Sequence, residues 1–159
     1  MNLALNKKYI IAVSVFTVIL PVICTMAETS FFKEKLFSFA LFGKWFIVSA
    51  VGLRLFTAGV KQTTDPAFTA REIFNISDVE SLTVIRELGF ANVCFGLTGI
   101  ISLFMPEWRI VSAFGSGLYY GIAGFQHLFK KRAGANQTFA MITDILIFIF
   151  LSLYFVKMI

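Results

Sequence analysis

Six side chains carry most of the chemical potential of this 159-residue chain: Arg54, Glu87, Asn92, Tyr120, His127 and Asp144. Each stands inside or at the edge of a long apolar run. Ionisable groups in hydrocarbon are costly unless they pair, face a bundle interior or reach water. Two accounts fit that rule. Arg54 and Asp144 could form a structural ion pair that holds helices in register, with Arg54 partly snorkelling. Alternatively, the six could line a small cavity that binds an amphipathic molecule or a proton, with Tyr120 supplying a hydroxyl to its floor.

Other chemistry has less support. His127 is the only histidine, and a zinc site needs several His, Cys or carboxylate ligands. No c-type haem motif, nucleophile–base spacing, phosphate-cradling glycine loop or dinucleotide fingerprint is present, so no metal or nucleotide cofactor is expected. Cys24 and Cys94 each lie within an apolar segment and read as core residues, since buried free cysteine behaves as a small hydrophobe.

The elements that must position these groups are membrane helices. The chain is 58% hydrophobic and 14% charged, with twenty phenylalanines, against about 25% charged in soluble domains. Its +5 charge comes from residues at the ends of apolar runs, where they anchor to headgroups. A basic face for nucleic acid is missing. The reading is a single all-α integral membrane domain over residues 1–159, with the lipid bilayer as its main partner. Five spans are expected, at about 9–27, 44–60, 88–105, 109–128 and 137–156, with an interfacial connection over 61–87. Pro21 should kink the first span. Glu28 opens a connection out of it, and Gly43-Lys44-Trp45 interrupts the helix before the second. Within 61–87, Thr64-Asp65-Pro66 starts a short amphipathic helix over Ala67–Phe74. Ser77-Asp78-Val79-Glu80 forms a capping box for a helix running to about Met105.

Two stripes of small residues favour close helix approach. One is Gly89, Asn92, Gly96 and Gly99. The other is Ala113, Gly117, Gly121 and Gly124, bordered by Tyr120 and His127. With five spans, the N-terminus, the 61–87 connection and the loop after span four share a side. That side carries eight basic residues (Lys7, Lys8, Lys61, Arg71, Arg86, Lys130, Lys131, Arg132) against five opposite (Lys33, Lys35, Lys44, Arg109, Lys157). The positive-inside bias then puts the N-terminus in the cytoplasm and the C-terminus outside, in a bacterial inner membrane. On this side the ends of spans two and four meet the starts of spans three and five. Arg54 and Asp144 each lie seven residues in, about 10 Å deep. Glu87 is expected to complete an acid–Arg–acid set or to accept from His127. Phe68, Arg71, Glu72, Phe74 and Arg86 are candidates for a lid over the mouth. Asn75-Ile76-Ser77 and Asn136-Gln137-Thr138 match the glycosylation pattern but fall on the cytoplasmic side.

A family resemblance rests on particular residues. Arg86-Glu87-Leu88-Gly89-Phe90-Ala91-Asn92, Gly96, Gly99, Pro106-Glu107-Trp108-Arg109, Gly117, Tyr120-Gly121, Gly124 and His127 resemble the DoxX-like group of small bacterial membrane proteins. An uncharacterised allied branch is nearer, because it carries a stretch similar to Pro66–Phe74. The likeness covers roughly Gly43 to Phe155. It implies a four-helix core, here with an additional N-terminal helix, and nominates Arg54, Arg71, Glu72, Arg86, Glu87, Asn92 and His127 as site residues. The wider group is associated with quinone-linked oxidation of sulfur compounds and with oxidative-stress complexes. This chain lacks the redox cysteine pair or metal set that such a role would suggest.

Three functions follow as expectations. The first is a binding or accessory protein holding a quinone- or lipid-like molecule in the polar cluster. The second is a proton-coupled transporter or channel in which Asp144 or Glu87 titrates. The third is a membrane subunit of a quinone-linked oxidoreductase, acting with a partner subunit or as a homo-oligomer.

Overall fold

A computed structural model describes residues 6–32, 38–74, 76–129 and 134–159, and all regular structure among them is helical. The expected connection through Lys33 and Lys35, the residue Asn75 and the basic loop Lys130, Lys131, Arg132 lie outside the described residues. Five long helices and one short one follow in chain order. α1 covers 7–32, α2 Phe39–Thr64, α3 66–74, α4 Ser81–Ile101, α5 Trp108–Leu128 and α6 Ala135–Met158.

Four of them, α1, α2, α4 and α6, are long and apolar enough to cross a membrane. α5 is as long as α4, at 21 residues, but its glycines, serines and tyrosines dilute its hydropathy. Large apolar side chains are exposed along every long helix, among them Ile11, Val60, Phe90, Phe114, Ile122, Leu146 and Leu153. Soluble monomers rarely expose apolar surface so continuously. The bundle has the outside of an integral membrane protein.

α2 is the central helix. Of its most apolar stretch 56% is buried, against 22% for α1. The core gathers Phe46, Ile47, Ala50, Val51 and Leu55 of α2 with Ala113 and Tyr120 of α5 and Ile147, Leu151 and Tyr154 of α6. The first glycine stripe packs on α2. A Cβ at Gly59 would fall 2.6 Å from the Gly89 carbonyl oxygen, so α2 and α4 meet backbone to backbone. The second stripe packs on α6, where a Cβ at Gly121 would strike the Phe148 ring at 2.7 Å.

Several boundaries differ from expectation. α2 runs unbroken through Gly43-Lys44-Trp45, and α1 runs past Glu28 to Phe32. Those residues meet instead as a clamp: Glu28 accepts from Lys44 Nζ (2.7 Å) and from Trp45 Nε1 (2.7 Å). A kink is expected at Pro21, and a π-helical turn, Val15–Ile19, closely precedes it. Proline's ring crowds the carbonyl four residues back, here Thr17, and the wider turn relieves it. The capping box does not form. Ser77 is exposed, and Asp78 organises the start through its carbonyl, which accepts from Ser81 Oγ at 2.6 Å, so α4 begins at Ser81. At its other end α4 stops at Ile101, short of Met105. Cys94 is exposed rather than buried, and Cys24 is half-buried; both are free.

Candidate functional site

A second π-helical turn, Ile47–Leu53, immediately precedes Arg54. The Ala50 carbonyl in this turn accepts from the Tyr120 hydroxyl at 2.8 Å, which ties α5 to α2 beside the guanidinium. Arg54 is only 8% exposed. Its Nη2 donates to Asp144 Oδ1 at 2.7 Å and to Thr143 Oγ1 at 3.1 Å. The Thr143 hydroxyl can accept because its own proton goes to the backbone carbonyls of Phe139 or Ala140. The guanidinium carbon lies 5.2 Å from the centroid of the Tyr120 ring, within cation–π range. Arg54 and Asp144 therefore meet as their depth argued.

Among the described residues, in contrast, Arg54 Nη1 is buried without a hydrogen-bond partner, and so is Asn92 Oδ1. Asn92 is held by its other end, Nδ2, which donates to Gln62 Oε1 at 2.6 Å. Tyr119, stacked on Phe95, interacts with Asn92, and Tyr9 of α1 interacts with Arg54.

These groups line one cavity of about 780 Å³. Arg54, Asn92, Tyr120, His127 and Asp144 all contribute to its wall, as do Phe68, Ile73 and Phe74 from the connection. α3 thus covers the cavity: Phe74 stacks on His127 with ring centroids 6.2 Å apart, and His127 Nδ1 lies 2.9 Å from Gln137 Nε2. A polar staple holds α3 in place. The Glu72 carbonyl accepts from Asn136 Nδ2 (3.3 Å), and Asn136 Oδ1 accepts from the Asn6 backbone N–H (2.8 Å). Lys61, another wall residue, pairs with Asp65 at 2.7 Å. Its hydrogen bond is the main reason the Asp65 carboxyl titrates below the usual carboxylate range.

Four expected members are elsewhere. Glu87 and Arg86 are exposed and do not line the cavity, and Arg71 is exposed on the outer side of α3. Glu87 fails on helical geometry. It is five residues from Asn92, about 140° around the helix, so the two cannot share a face. Glu72 acts in the staple, not in the wall. The cavity also has walls that were not expected. α1 supplies Lys8, Tyr9, Ala12, Val13 and Phe16, although the family resemblance implies a four-helix core to which this helix is an addition. The Lys7-Lys8-Tyr9 start of α1 shares a membrane side with Arg54 and Asp144, and that signal could have been used. Among the described residues no three His, Cys, Asp or Glu side chains gather as a metal site would require.

Over residues 11–158 the chain matches a family of unknown function, DUF6790. The protein belongs to DUF6790. No curated protein and no solved structure matches it. The family stretch takes in every long helix except the first turn of α1, and of the cavity wall in this DUF6790 protein only Lys8 and Tyr9 fall outside it.

Proposed function

We propose that this DUF6790 protein holds a small amphipathic molecule, quinone- or lipid-like, with its head at Arg54 and Asn92 and its tail against the apolar wall. One observation carries the reading: among the described residues two buried polar atoms, Arg54 Nη1 and Asn92 Oδ1, have no hydrogen-bond partner, and both belong to side chains lining one cavity. An unmade hydrogen bond on a buried group costs about 1–3 kcal/mol, more when it is charged, and a ligand head would remove that cost. The cavity's volume falls within the roughly 300–1,000 Å³ usual for small-molecule sites. On the basic-residue count, its mouth faces the cytoplasm of a bacterial inner membrane.

The test is mass spectrometry of small molecules that co-purify with the wild-type protein and with Arg54→Gln. An amphiphile enriched only in the wild type is the expected result. Identical extracts would remove the reading.

The Arg54–Asp144 pair also favours a second reading, proton-coupled transport, because protonating Asp144 would release Arg54. Its test is proton-driven uptake in proteoliposomes, which Asp144→Asn should abolish. A quinone-linked oxidoreductase subunit, with a partner or as a homo-oligomer, rests on the likeness to DoxX-like proteins. Quinone turnover by the purified protein tests it.

A further inference from the structure

We infer that the head bound at Arg54 is an oxyanion bearing a hydroxyl, the glycerophosphate head of a single-chain lipid. The inference rests on the amphiphile reading above and deepens it.

Charge is the first argument. The wall holds three fixed cations, Lys8, Arg54 and Lys61, and one carboxylate, Asp144. Lys61 is neutralised by Asp65 and Arg54 by Asp144. Among the described residues Lys8 has no ion-pair partner, so the wall as described carries one surplus positive charge. A neutral head leaves that charge uncompensated, whereas a monoanion balances it.

Hydrogen bonding is the second argument. The Arg54 fork is only half used, because Nη2 makes both of its bonds and Nη1 makes none. A guanidinium nitrogen left without an acceptor suits an oxyanion, which can offer several acceptor oxygens to it. Asn92 needs the opposite. Its amide nitrogen is committed to Gln62, leaving a buried acceptor at Oδ1. A bare carboxylate has no proton to give it, but a glycerol hydroxyl does.

The third argument is the way out for a chain. The wall reaches the outer surface at Ala12, Thr57, Ile122 and Gln126, all of them exposed. Ile122 is 69% exposed, on a helix that also exposes Leu118 and Phe125. Phe16 and Leu88 continue the apolar lining. An acyl chain leaving the head site sideways would pass Ala12 and Ile122 on its way into the bilayer.

The experiment is a set of titrations of the full-length protein in neutral detergent, read by native mass spectrometry. Three probes are used: lysophosphatidylglycerol, lysophosphatidylcholine of the same chain length, and free glycerol phosphate. Lysophosphatidylglycerol should bind at least about tenfold more tightly than lysophosphatidylcholine, a ratio equal to about 1.4 kcal/mol. Added salt should weaken its binding, as expected for a charge at a solvated mouth. Lys8→Gln removes only the exposed surplus charge and should cut the preference about threefold. Arg54→Gln should abolish it. If Arg54→Gln does not fold, Lys8→Gln and the salt series still decide.

Equal binding of the two lipids would overturn the anionic head while leaving the amphiphile reading intact. Failure of both lipids to bind would overturn both. Glycerol phosphate binding as tightly as the lipid would overturn the lipid source and identify a soluble phosphate ester instead.

Discussion

Arg54 and Asp144 show how far depth arithmetic reaches and where it stops. Each was placed about 10 Å in by counting residues from a membrane end, and they meet at 2.7 Å. The same count put Glu87 with them and failed, since depth says nothing about which way a side chain faces. Tyr120 and His127 passed both tests, being seven residues apart and only about 20° different around the helix. The ion pair makes a prediction that separates structure from binding. Removing one partner leaves an unpaired buried charge, at a cost of about 3–5 kcal/mol, whereas replacing both by apolar groups is often neutral. Arg54→Met and Asp144→Leu should each lower the melting temperature in detergent markedly, and the double variant should recover most of the loss. Ligand retention should not recover with it. Tyr120→Phe is a milder case. It removes the bond to the Ala50 carbonyl and should cost about 0.5–1.5 kcal/mol, read as a small fall in the same melt.

At the level of helices, hydropathy located the spans well and their ends poorly. It reports where hydrocarbon begins, whereas a helix continues until its backbone finds another partner. α2 therefore starts at Phe39, five residues before the interfacial Lys44, and α1 carries Glu28 inside its last turns. The capping motif at Ser77 failed because Asp78 offered a tighter local arrangement. Both small-residue stripes were legible, yet their partners were not, since periodicity identifies a face without naming what covers it. The same gap hid α1 from the site. Contact between α2 and α4 now gives a prediction. Gly89→Leu would drive a side chain into Gln62, Thr63 and the Gly59 carbonyl, and overpacking of this kind costs about 1–3 kcal/mol or more. It should lower the melting temperature and also displace Gln62, loosening the grip on Asn92. Leucine at exposed Val84, elsewhere on the same helix, should leave the melt unchanged.

For the whole molecule, orientation decides which compartment the cavity serves, and it can be tested directly. In a background lacking Cys24 and Cys94, Glu107→Cys should react with an impermeant maleimide in intact cells. Ser77→Cys should react only after permeabilisation. The reverse pattern would turn the mouth outward. The Glu28–Lys44–Trp45 clamp has a wider consequence. It fixes one charged end of α2, and Lys61, paired with Asp65, marks the other, seventeen residues away. At 1.5 Å per residue these lie about 25 Å apart, while a typical hydrocarbon core is about 30 Å thick. Lys44 cannot stretch freely towards a distant headgroup, because Glu28 holds its ammonium. A span this short favours a thinner bilayer around the protein. In phosphatidylcholine vesicles the protein should melt at a higher temperature with short acyl chains than with long ones, and Glu28→Gln should weaken that preference. That outcome would tie the Glu28–Lys44 clamp to the thickness of the surrounding membrane.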